Sequence, residues 1–424
     1  MNGGFRMLLE FSCSNHGSIR KKVLFSLLAS KDKTNTDLLT DFDGRKVLRT
    51  SVIYGANGSG KSNFLSAILF VKLLVINSIS HKPGDGIPQH PHKLEPLSTS
   101  SEYNIQFVFN NIRYAFGFTL NNNIVHEEYL YYFPKGRQTK IYERSSENFV
   151  AGIKFKNKLS ICRDVLKPNK LLLSCAANFT NVVEIMEAYK FFLDGLIIYE
   201  PTNSDINWLH YSLRKISTDL NIKKSISKLL QGFGTDIRDI KIRFETSRTI
   251  DKAILPDFLS DEYKEKLLGE RAELINAKVV YDKFETDLLG EESVGIKKLI
   301  TILCPFIDIM ANGKTLVCDE LENSLHEALL QELIRQFVCN SPNKQAQLIF
   351  STHDTSLLDL DFFRRDQIWF TELRKEDRST DLFSLAEIKH VRKDKKFGRG
   401  YIEGRYGAVP MLNNNFADII PNLK

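Results

Sequence analysis

Leu48-Arg49-Thr50-Ser51-Val52-Ile53-Tyr54-Gly55-Ala56-Asn57-Gly58-Ser59-Gly60-Lys61-Ser62-Asn63 is the stretch on which the reading of this chain turns. Leu48–Tyr54 is an apolar run of strand length. From Ser62 to about Ser78 the apolar spacing becomes helical. Between them stands a full G-x-x-x-x-G-K-S, in the strand–turn–helix setting that a P-loop requires. Gly55, Gly58 and Gly60 let the backbone N–H groups of Asn57, Ser59 and their neighbours turn inward around a phosphate. The start of the helix, at Ser62 and Asn63, adds a favourable dipole. In this pattern Lys61 reaches the β- and γ-phosphates, and the Ser62 hydroxyl ligates Mg²⁺. The stretch therefore predicts an α/β P-loop NTPase that binds ATP with Mg²⁺.

Working outward, a metal-dependent P-loop needs acidic groups at a second strand end. Thr315-Leu316-Val317-Cys318-Asp319-Glu320 supplies them. Asp319 is placed to hold Mg²⁺ through water, and Glu320 to polarise the attacking water as general base. Further on, Gln347–Ser351 is another apolar run, followed by Thr352-His353-Asp354. A histidine just past the carboxyl end of a parallel strand lies at the ligand edge of such a sheet. His353 is the candidate to hydrogen-bond the γ-phosphate.

The remaining pattern sets these pieces in a larger frame. Strands are expected at 5–13, 103–110, 112–120 and 126–133, the last three as an antiparallel meander broken at paired asparagines. Residues 79–101, rich in Pro, Gly and Ser, read as a loop. Residues 151–280 form a mainly helical insertion with one strand-like piece at 237–245. After it, helices at 293–304, 324–339 and 355–363 alternate with strands at 314–318, 346–351 and 367–370, as in parallel βα units. The expected organisation is 1–150 for the P-loop and β subdomain, 151–280 for the insertion, and 281–424 for the rest of the ATPase domain.

Composition excludes several classes. With 42% hydrophobic and 26% charged residues among 424, the chain is neither disordered nor fibrous. The longest apolar run, Phe64–Ile76, is interrupted by Ser66 and Lys72, so no membrane span is expected. The first fifteen residues lack a basic region followed by an apolar stretch and a small-residue cleavage site, so no signal peptide is expected. The six cysteines (Cys13, Cys162, Cys175, Cys304, Cys318, Cys339) form no C-x-x-C pair. Buried free thiols in a reducing cytoplasm account for them. A net charge of +6 permits, without demanding, contact with nucleic acid or an acidic partner.

The order of parts resembles the ABC-type ATPases, in the branch of the SMC and RecF-like proteins. That resemblance implies a signature helix before the acidic strand, for which Glu291-Glu292-Ser293-Val294-Gly295-Ile296-Lys297-Lys298-Leu299 is the candidate. In the family the signature Ser and Gly meet the γ-phosphate bound by the other protomer. The roles carry over to Ser293 and Gly295 and imply a homodimer or higher oligomer. Ile296 and Lys297 depart from the family pattern, and a plain helix cap at Ser293 is the alternative.

Glu322–His326, Arg365–Glu372 and Tyr401–Pro410 narrow the likeness to bacterial AAA family ATPases of ABC type from phage-defence and abortive-infection operons, similar to RloA and AbiLi. That family implies a separate effector protein, often a Toprim-like nuclease. The expected function is an ATPase subunit that senses a trigger and controls the effector. A nucleotide-held scaffold that sequesters an effector with little need of hydrolysis, and a DNA-repair ATPase, are the alternatives.

Other features point to chemistry less directly. His90 and His92 lack an acidic or Cys partner and read as a solvated loop. Asp359 and Asp361 lie in a run that reads as core, and no recognisable nuclease motif is present. Lys389–Arg399 holds six Lys/Arg against one Asp, a solvated loop or a phosphate grip. Tyr129, Tyr131 and Tyr132 read as sheet core rather than a stacking platform. Gly404–Pro410 has the composition of a tight turn.

Overall fold

The computed structural model describes residues 4–246, 273–323, 325–338, 345–359, 363–389 and 397–409. These form two compact units. The first comprises Met1–Pro201, Ile309–Asn323 and Leu330–Lys424, and the second Thr202–Asp308 and Ser324–Leu329.

A six-stranded sheet organises the first unit. Its order is Leu196–Tyr199, Thr315–Cys318, Gln347–Ser351, Thr50–Tyr54, Ile368–Leu373 and Thr380–Ser384. The first five strands run parallel and the last antiparallel. The strands at 50–54, 315–318 and 347–351 are buried at every position, which is why they read as continuous apolar runs rather than alternations. The parallel pairing brings the carboxyl ends of the P-loop, acidic and histidine strands to one sheet edge.

A second sheet of seven antiparallel strands takes the order Asn148–Ala151, Thr139–Ser145, Val125–Tyr132, Ile112–Leu120, Ser101–Phe109, Arg6–Ser14 and Val23–Ser26. The meander is as expected. Its first turn is Asn110-Asn111, both at positive φ (50° and 65°), the backbone that a two-residue hairpin demands and asparagine tolerates. Two further strands, at 139–145 and 148–151, extend it.

The P-loop helix, Lys61–Asn77, buries a broad face that includes Phe64, Ala67, Ile68, Val71 and Val75, and leaves Ser62, Leu73 and Asn77 exposed on the opposite side. The buried face is the one turned to the core. Phe64 meets Phe11 and Phe25 of the antiparallel sheet, and Phe25 meets Trp369 of the parallel one. Both sheets therefore share one hydrophobic core. The stretch Lys61–Ser80, with mean hydropathy 1.7, is long and apolar enough to cross a membrane by composition, although half of it is buried within the fold.

Leu196–Tyr199 is the main departure from the expected pattern. It lies in the region read as a helical insertion, yet it pairs with the acidic strand and so places residues 151–201 in the first unit. There the fully buried Glu128 pairs with Arg144. Its carboxylate also accepts the N–H groups of Leu172 and Leu173 at 2.6 and 2.8 Å, capping the helix Leu172–Phe179.

The second unit, described by itself, holds the helices Pro201–Thr218 and Leu220–Gly232 and most of Val294–Asn312. It also holds an antiparallel sheet of Asp239–Thr246, Glu273–Val280 and Glu285–Asp287, where the sequence suggested a single strand. The expected helix at 355–363 is a 3₁₀ turn at Thr355–Asp359. Cys13, Cys162, Cys175, Cys304 and Cys318 are buried free thiols. Cys339, Asp361, Pro410, Ser324 and most of the Lys389–Arg399 run lie outside the described residues.

Candidate functional site

The P-loop is built as its sequence demands. Gly58 and Gly60 take positive φ (76° and 105°). A Cβ on Gly55 would stand 2.3 Å from Thr371 Oγ1, and one on Gly60 2.1 Å from Thr380 Oγ1. Only glycine fits at either place. These two threonines also brace the loop. Ser59 Oγ lies 2.7 Å from Thr371 Oγ1, and the Thr380 hydroxyl donates to the Ser59 carbonyl at 2.8 Å. Ser18 Oγ lies 2.6 Å from Thr380 Oγ1 and accepts from the Asn63 amide at 2.8 Å. The sequence reading assigned no role to Ser18, Thr371 or Thr380. Nothing local marks them, because the contacts join residues far apart in the sequence, more than three hundred positions in every case but the Ser18–Asn63 bond.

Lys61 is 6% exposed. Its ammonium donates to the carbonyls of Gly55 at 2.8 Å and Ala56 at 3.4 Å, arching across the loop. Burial pulls its pKa below the ordinary lysine value, while the charges of Asp319, Glu320 and Glu322 push it back up. All three carboxylates thus act on the P-loop lysine. Ser62 and Asn57 are exposed and Asn63 half-buried, leaving the outer face of the loop accessible.

The acidic strand end is held by Ser351. Its hydroxyl accepts the Glu320 N–H at 2.8 Å and donates to Asp319 Oδ1. Glu320 is exposed and has φ 46°, a left-handed backbone costing about 1–3 kcal/mol in a residue with a side chain. Such conformations gather at working sites. Glu322, quoted in the sequence without a role, accepts the His353 N–H through Oε1 at 2.6 Å. Its buried Oε2 has no hydrogen-bond partner among the described residues. The His353 side chain itself is exposed.

The structure therefore gathers the P-loop, Asp319, Glu320 and His353 at one edge of the parallel sheet. Ser293 and Gly295 belong to the second unit. There the Ser293 hydroxyl accepts the Ile296 N–H at 3.3 Å, the helix-cap geometry anticipated as the alternative. Nor does His92 behave as a solvated loop residue. It is buried, with its N–H on Asn15 Oδ1 at 2.9 Å, while His90 is exposed. A cavity of about 980 Å³ opens beside the P-loop, bordered by His16, Ser18, Gly58, Asn63, His92 and Arg378.

The chain matches a family model described as "AAA domain, putative AbiEii toxin, Type IV TA system" over residues 51–149 and 198–359. Those residues are more than half of the chain and include the P-loop, the acidic pair and His353. The chain belongs to this AAA domain family. Its P-loop NTPase fold follows from that membership and from the sheet topology. Curated proteins give no match.

Among solved structures, the AAA domain chain is similar to the SMC head bound to the C-winged helix domain of ScpA. The TM-score is 0.40 at 16% identity, over 89% of this chain and 97% of that one. It is similar also to the SMC head domain from Thermotoga maritima, with TM-score 0.39 at 12% identity over 89% and 98%. A third is the recombination mediator protein RecF with ATP, with TM-score 0.36 at 14% identity over 89% and 99%.

The C-terminal Tyr401-Ile402-Glu403-Gly404-Arg405-Tyr406 segment is more than a surface turn. Tyr401 stacks on Phe370 at 5.5 Å and lies 5.7 Å from Tyr54. The Tyr401 hydroxyl donates to the Ala408 carbonyl at 3.0 Å. It thus packs on the residue that precedes the P-loop. Tyr132 is sheet core, but Tyr129 and Tyr131 are half-buried, with hydroxyls on Asn104 and Glu143.

Proposed function

We propose that this chain is an ATPase that binds ATP with Mg²⁺ across Gly55–Asn63 and hydrolyses it. The observation that carries the reading is the parallel pairing of Thr315–Cys318, Gln347–Ser351 and Thr50–Tyr54, which brings Asp319, Glu320 and His353 to the sheet edge of the P-loop. In the reading, the Gly58–Ser62 backbone cradles the phosphates and Lys61 shifts from the loop carbonyls to the β- and γ-phosphates. Glu320 orients and deprotonates water, and His353 bonds the γ-phosphate. Ser62 and Asp319 would hold Mg²⁺, whose hard oxygen-donor preference suits a hydroxyl and a carboxylate. The orphaned Glu322 Oε2 fits a site with room for a further polar group. Bound there, Mg²⁺ supplies neutralisation of phosphate charge.

Positioning and charge stabilisation are most of what phosphoryl transfer asks of a protein. Glu320→Gln tests the assignment, because the amide keeps the shape and removes the base. Turnover should fall about 10²–10⁴-fold while ATP still binds. Unchanged turnover would remove Glu320 from the role.

The finer reading has two parts. A second copy completes the site through Ser293 and Gly295, and the ATPase serves bacterial anti-phage defence by controlling a partner effector, with a Toprim-like nuclease as the expected kind. The family description, which names a toxin of a toxin–antitoxin system, and the order of sequence motifs support it. Phage plating on cells carrying this gene with its neighbouring reading frames, wild type against Glu320→Gln, is the test. Equal plating of wild type and empty vector would defeat the defence role and leave the ATPase assignment standing.

A further inference from the structure

Residues 152–170 cover the outer end of the antiparallel sheet and concentrate the charge of the chain. From Lys154 to Lys170 six Lys/Arg stand against one Asp, a net of +5 in a chain whose total is +6. Phe155, Leu159 and Cys162 follow one another at helical spacing and are buried. The complementary positions Lys156, Lys158, Ile161, Arg163 and Lys167 are left exposed.

The same face exposes aliphatic side chains. Ile153 is 101% exposed, Val183 64%, Val150 63% and Ile161 48%. These residues lie on segments held together by direct contacts. Lys154 pairs with Glu184 at 2.6 Å, and the Arg163 guanidinium stands 5.5 Å from the Phe149 ring. Asn148–Ala151, beside them, is the outermost strand of its sheet. Lysines near a sheet edge commonly serve to discourage strand pairing. That role gives no reason to leave four aliphatic side chains in water, where each forgoes about 1.5–3 kcal/mol available on burial.

We propose that this face docks an acidic polypeptide segment in which carboxylates alternate with aliphatic side chains. The carboxylates complement Lys156, Lys158, Arg163 and Lys167. The aliphatic residues cover Val150, Ile153, Ile161 and Val183, and the backbone can pair along Asn148–Ala151. Nucleic acid fits less well, since it would use the lysines and leave the Val and Ile side chains unpaired; single strands are held by aromatic stacking instead.

Fluorescence anisotropy on the full chain decides between them. The probes are three of equal length and charge: a peptide alternating Glu and Leu, one alternating Glu and Ser, and a single-stranded oligonucleotide. The Glu–Leu peptide should bind at least about tenfold tighter than the other two. Lys156→Glu/Lys158→Glu/Arg163→Glu should weaken it about tenfold or more, with a salt dependence lost in the same variant. Ile153→Ser/Ile161→Ser should abolish the preference for Leu over Ser while retaining the salt dependence. Tightest binding of the oligonucleotide, equal binding of the two peptides, or binding of none overturns the proposal. The substituted residues are exposed, and if the triple charge reversal fails to fold, the isoleucine pair still reads it out.

Discussion

The P-loop and the start of the Val294–Asn312 helix are both turns that open apolar helices, yet they are made oppositely. Around Gly55–Lys61 every side-chain hydroxyl within the loop is braced, two glycines have no room for a Cβ, and Lys61 is buried. At Ser293 the hydroxyl makes one ordinary capping bond of 3.3 Å, and Val294 is 67% exposed. The first turn is finished within one chain. The second is held by its cap alone and leaves Val294 in water. Shape is specified most tightly where the core can hold it.

The sharpest break of that contrast is Lys61→Ala. Losing a charge-assisted contact of about 3 kcal/mol should weaken ATP binding ~100-fold, read by equilibrium titration. Thr380→Val removes the hydroxyl that bonds the Ser59 carbonyl and Ser18 Oγ, while keeping the volume. It should raise the Kd for ATP about tenfold, and Thr380→Ser should restore most of it. An equal loss in Thr380→Ser would mean that the methyl, not the hydroxyl, matters.

Ser293→Ala probes the other turn. If Ser293 acts only as a cap, the variant loses about 1 kcal/mol of stability and keeps its turnover. The shared-site reading instead expects turnover that rises more than linearly with protein concentration in wild type, and a loss of that rise in Ser293→Ala with ATP affinity unchanged.

A last effect, on stability alone, concerns His16, whose ring sits 2.8 Å from Tyr103 Oη and 3.1 Å from Ser66 Oγ. Burial, and then the neighbouring His90, lower its pKa from 6.5 to about 4. The unfolded chain therefore binds the proton more readily. The stability that neutral His16 contributes is complete above pH 6.5 and is lost as the pH falls toward 4. In denaturant titrations His16→Gln should lose less stability than wild type across that window.

Legibility in the sequence followed the range of the interactions. Gly55–Ser62, Asp319-Glu320 and His353 announce themselves because each is a residue pattern at a strand end, and strand ends can be read from periodicity. The Asn110-Asn111 hairpin was legible for the same local reason. Leu196–Tyr199 was not, since four apolar residues between helices look the same as a buried helical turn. Thr371, Thr380 and Ser18 carry no local sign, because their meaning lies in what stands opposite them after folding. Ser351 and Glu322 fall between, quoted for the company they keep but given a purpose only by the contacts to Asp319, Glu320 and His353.

The burial of one broad face of Lys61–Asn77 in the core shared by two sheets has a mechanical consequence. A helix gripped along that face cannot slide or turn without repacking a core that is dense as a crystal. The phosphates would therefore press against a fixed anvil. The side chains beside it that are left room to reorient are the exposed carboxylate of Glu320 and the exposed ring of His353.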